Sequence, residues 1–90
     1  MMRADLADLA QAIQQYRSGT ASLDELKARV LATAERVTEY DRRALRTFLL
    51  DAEGRLDMIQ FTTDSNRVYT KTLPVVDELA KAIRQDEDSR

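Results

Sequence analysis

Leu45-Arg46-Thr47-Phe48-Leu49-Leu50-Asp51-Ala52-Glu53-Gly54-Arg55-Leu56-Asp57-Met58-Ile59 is the stretch whose reading decides the fold. Read as one helix, Leu45, Leu49, Ala52, Leu56 and Ile59 recur at a 4-3-4-3 spacing and share a single stripe. Carrying that helix through Gly54 costs about 1 kcal/mol relative to alanine. The competing reading ends the helix at Gly54 and folds residues 59–63 and 67–72 into a β-hairpin about Asp64-Ser65-Asn66. The threonines, Val68 and Tyr69 speak for strands there. On a helix, however, Val68, Tyr69, Thr72, Val75, Val76, Leu79 and Ile83 all fall in one arc, whereas a strand over 67–73 would mix polar and apolar residues on both faces. The helical reading is therefore preferred, with an α+β fold carrying a hairpin at about 58–72 as the alternative.

Upstream, Leu6, Leu9, Ile13 and Tyr16 line one side of a first helix over 5–17, which Ser18-Gly19 closes. A second helix follows almost at once. Ser22 and Glu25 form a capping box, and Leu23, Leu26, Val30, Ala34 and Val37 continue the stripe. So short a connection makes the two an antiparallel hairpin. A weaker capping pattern at Thr38-Glu39-Tyr40-Asp41 starts the third helix, expected to be the longest. Downstream, Pro74 lacks a backbone donor and clashes with the preceding turn, so the fourth helix is expected to kink there or to start afresh with Thr72 as its cap.

Two glycines and one proline in 90 residues leave little for a linker, and 43% apolar content suits one compact helical domain, taken as 1–85. Asp86-Glu87-Asp88 supplies the surplus acid and reads as a solvated tail over 86–90. The stripes are narrow and carry alanine at Ala10, Ala34, Ala52 and Ala82, so the core of an isolated four-helix bundle is marginal and dimerisation would supplement it. No apolar run suggests a leader or a membrane span, and the expectation is a cytoplasmic chain.

Fourteen basic against sixteen acidic residues give a net charge of -2, which disfavours nucleic acid or anionic membrane as partner. The chain has no cysteine and no histidine, removing thiol chemistry, the commonest zinc ligands and the commonest general base. Ser18, Ser22 and Ser65 have no histidine to activate them, the glycines form no phosphate loop, and Asp64-Ser65-Asn66 lacks the rest of a calcium loop. Glu35 and Glu39 could share a hard cation but find no further ligands in an obvious arrangement. The sequence thus points away from an enzyme, a resident metal or a cofactor.

What remains is the third helix. Leu50, Met58 and Phe61 face away from its main stripe, with Gly54 at the centre of that second face and Thr47 beside it. Either the fourth helix covers this face inside the monomer, or it is exposed and binds another chain. Arg42, Arg43 and Arg46 cluster near the start of the same helix, with Arg36 a turn or two earlier. That cluster reads as a solvated face, or as a grip on a carboxylate-rich partner. Leu50, Gly54, Met58, Phe61 and Arg43 are accordingly the candidate partner-binding residues. The functional expectation is a non-catalytic protein-binding module of the immunity, antitoxin or adaptor kind. A homodimeric scaffold subunit comes second, and a nucleic-acid-binding regulator using the arginines third.

Overall fold

The computed structural model describes residues 4–38 and 40–88, without the side chains of Ala4, Asp5, Asp41 and Glu87. The chain is an all-α bundle of four helices: α1 Ala4–Ser18, α2 Leu23–Arg36, α3 Arg43–Thr62 and α4 Val68–Asp88. One 3₁₀ turn, Tyr40–Arg42, leads into α3, and the described residues contain no strand. The hairpin alternative at 58–72 is therefore set aside. In its place, α3 runs on to Thr62 and a short turn, with the Arg67 amide donating to the Asp64 carbonyl at 2.8 Å, feeds α4.

The local signals act as their chemistry requires. Gly19 has φ +83°, its amide donates to the Tyr16 carbonyl, and the Thr20 amide donates to the Gln15 carbonyl, a Schellman closure of α1. Ser22 Oγ accepts from the Glu25 amide at 3.1 Å, capping α2. The return arm of the box is made by the serine hydroxyl, which donates to Glu25 Oε1. The second capping pattern does not take the same form: Arg42 occupies the N-cap of α3 without a side-chain capping bond, and Glu39 lies outside the described residues.

Leu6, Leu9, Ile13, Leu26, Val30, Leu49, Ala52, Leu56, Val76 and Leu79 meet in one buried cluster that draws on all four helices. α2 packs against α1 and α3, and α4 closes the bundle mainly against α3 and less extensively against α1. Each seam carries a charged pair between helices: Asp8–Arg36 for α1 and α2, Lys27–Asp57 for α2 and α3, Arg55–Glu78 for α3 and α4, Arg17–Asp77 for α1 and α4. Apart from the part-buried Lys27–Asp57, these pairs are exposed and contribute about 0.2–1 kcal/mol each, so they set register more than stability.

Pro74 lies inside α4, which continues across it, so the fresh start is not what occurs. Thr72 is no cap: it is buried in the second turn, and its hydroxyl donates to the Tyr69 carbonyl at 2.9 Å. That leaves Tyr16 as donor in the 2.6 Å contact between the Tyr16 hydroxyl and Thr72 Oγ1. Tyr69 stacks obliquely on Tyr16 and donates to the Arg17 carbonyl. These contacts pin the start of α4 to the end of α1 and hold in place a turn that the proline deprives of a backbone donor. At 21 residues α4 is also one longer than α3, contrary to the expected ranking.

The two glycines make opposite predictions. At Gly19 the left-handed backbone penalises any side chain, and Gly19→Ala should lower unfolding free energy by about 1 kcal/mol. At Gly54, inside a helix with nothing within 4 Å of an added Cβ, Gly54→Ala should raise it by about 1 kcal/mol. Urea titration of the two variants beside wild type checks the sign of both.

Candidate functional site

The sides of α3 are assigned by what each touches. Leu49, Ala52 and Leu56 point into the core and are fully buried. One flank meets α2: Lys27 Nζ reaches Asp57 Oδ1 at 2.7 Å and also bonds Gln60 Oε1, while Arg46 Nε donates to the Ala34 carbonyl. The other flank meets α4 through Arg55 and Glu78, 2.7 Å apart. At ~100° per residue, Leu50, Gly54, Met58 and Phe61 fall within about 80° of one another, in the arc between the two flanks, which Lys27 of α2 reaches at its Phe61 end.

That arc is open. Leu50 is 40% exposed, Met58 67% and Phe61 76%, and the space about Gly54 is empty. Of the two accounts offered by the sequence, burial under the fourth helix does not occur: α4 packs on the Arg55 side, and the second apolar face is solvent-exposed. Leu31, one turn on from Lys27 in α2, is exposed too. Exposed Tyr40 precedes the apolar strip of α3, with the Arg43 guanidinium 4.5 Å from the ring centroid.

Lys27 is a residue that sequence reasoning passed over. Its side chain is 14% exposed, pairs with Asp57, lies 3.8 Å from Asp24 and stands 5.4 Å from the Phe61 ring centroid. Gln60 Nε2 closes the group by donating to Asp24 Oδ1. The ammonium thus supports Phe61 from the α2 side and fixes one end of the strip. No local spacing announces this, because Lys27 and Asp57 are thirty residues apart.

The arginine cluster is divided by the fold. Arg42 turns inward, 7% exposed, and meets Asp86 through two bonds, Nε to Oδ1 at 3.4 Å and Nη2 to Oδ2 at 3.1 Å. Arg46 donates to the end of α2 and Arg43 lies on Tyr40; these two stay exposed and line one shallow cavity, while Arg42 is withdrawn from them. Asp86, which the sequence assigns to a solvated tail, is instead in the last turn of α4, and its side chain is 14% exposed. Of the Glu35 and Glu39 pair, Glu39 lies outside the described residues. Among the described residues no group of three acidic side chains is arranged to hold a metal ion. No described helix is long and apolar enough to cross a membrane.

Two open grooves flank α4. One, of about 560 Å³, lies against α1 and is spanned by Arg17 and Asp77; the other, of about 520 Å³, lies against α3, with Leu45 and Phe48 on its wall and the Arg42–Asp86 pair at its end. Both are lined by charged and apolar groups in similar measure, whereas the α3 strip is uncharged along Leu50, Gly54, Met58 and Phe61. Comparison with known protein families, curated proteins and solved structures gives no match to this chain.

The Arg42–Asp86 pair ties the start of α3 to the end of α4, and removing one partner takes from the other a buried, charge-assisted bond. Arg42→Ala should destabilise the fold by about 3 kcal/mol, and Arg42→Leu combined with Asp86→Leu by clearly less, as unfolding free energies from a double-variant cycle will show.

Proposed function

We propose that the chain is a non-catalytic protein–protein interaction module that docks through the outer face of α3. The observation that carries this reading is the pairing of Gly54 with its surroundings. An internal glycine weakens a helix by about 1 kcal/mol, and inside this molecule nothing occupies the room it leaves. The same turn-to-turn row presents Leu50, Met58 and Phe61 to solvent. An apolar row interrupted by a residue without a side chain is suited to receiving another helix or backbone at short range. Met58 adds a contact that adapts to the shape of its partner, and Phe61 an aromatic anchor backed by Lys27. Exposed Arg43 borders the row at its amino end and offers a charged contact for an acidic group.

A double variant tests the reading. Leu50→Lys with Phe61→Ser places charge and polarity on the row, serine being chosen at 61 because a lysine there would face Lys27. Both sites are exposed, so unfolding free energy should stay within about 1 kcal/mol of wild type. Immobilised wild-type protein should retain a partner, either another chain from an extract of the source cells or a soluble second copy of itself, and the variant should retain neither. Equal retention by both proteins would move the docking surface off α3, and retention of nothing by wild type would end the reading.

A further inference from the structure

Resting on the interaction-module reading, we infer that the occupant of the α3 face is the same face of a second copy, laid antiparallel with Gly54 at the two-fold axis. The row is symmetric about that glycine. Leu50 and Met58 stand four residues to either side, Thr47 and Phe61 seven. Turning one copy end for end therefore sets Leu50 against Met58 and Phe61 against Thr47, with the smallest side chain at the crossing, where two helices come nearest.

Charge chooses the direction. About Gly54 the windows that face each other are 43–50, with Arg43 and Arg46 and no acid, and 58–65, with Asp64 and no base. Arg43, Arg46 and Asp64 are exposed. Antiparallel docking lays the basic end of one helix along the acidic end of the other and opposes the two helix dipoles. Parallel docking would stack arginine on arginine and aspartate on aspartate.

Wild-type protein in sedimentation equilibrium should approach twice the 10.3 kDa chain mass as concentration rises, and Leu50→Lys with Phe61→Ser should remain at the single mass. Gly54→Ala gives a sharper outcome: it should raise the unfolding free energy of the chain yet weaken self-association at least about tenfold, because two methyl groups enter the crossing. The chain has no cysteine of its own, so introduced ones report geometry directly. Gly54→Cys should oxidise to a linked dimer. Arg43→Cys should not, since antiparallel packing holds its two copies about 33 Å apart. A single mass at every concentration, a dimer indifferent to the Leu50 and Phe61 changes, or ready linkage through Arg43→Cys alone would each overturn the inference. The first of these leaves the module reading to stand or fall on the extract experiment, where the double variant must lose a different chain.

Discussion

The bundle depends on α3 remaining one helix across Gly54. Leu49 and Ala52 precede the glycine and Leu56 follows it, and all three are fully buried against side chains from the other helices. Breaking the helix there would keep half of the stripe and turn the other half out of register, leaving α2 and α4 without the surface on which each packs most fully. The penalty of an internal glycine is about 1 kcal/mol, while burying a leucine such as Leu56 contributes about 1.5–3 kcal/mol, so the helix persists.

Around that spine the remaining contacts fix register. One charged pair on each seam sets how far every helix slides past its neighbour. Tyr16, Thr72 and Tyr69 join the end of α1 to the first turns of α4, just where Pro74 removes a backbone donor. At the opposite end, Arg42 and Asp86 clasp the entry to α3 against the exit of α4. The weakest stretches of α4, its proline turn and its terminus, are thus the stretches that carry long-range side-chain bonds.

The same geometry leaves α3 with an uncovered side. α2 and α4 take its core stripe and two flanks, and the remaining quadrant holds Leu50, Gly54, Met58 and Phe61. An apolar row with a gap at its middle would gain by excluding water against a surface that fits the gap. A bundle with alanines at Ala34 and Ala52 in its interior has modest apolar burial of its own, and a partner on this row would add to it.

Local chemistry settled much of this in advance of any coordinates. The left-handed Gly19, the Ser22 cap, four amphipathic stripes and the existence of a second apolar face on α3 all follow from residues within a few turns of one another, because caps and helical periodicity are short-range effects. Three matters were beyond that range. Arg42 could not be separated from Arg43 and Arg46, nor Asp86 from its acidic neighbours, until folding brought residues 42 and 86 within bonding distance. Thr72 could be read as a cap until Tyr16 arrived from the far end of the chain to bury it. And the exposure of Leu50, Met58 and Phe61 is a statement about where α4 lies. Periodicity says which side chains share a face, but which face is covered depends on how the helices cross, and that is decided by packing among residues distant in sequence.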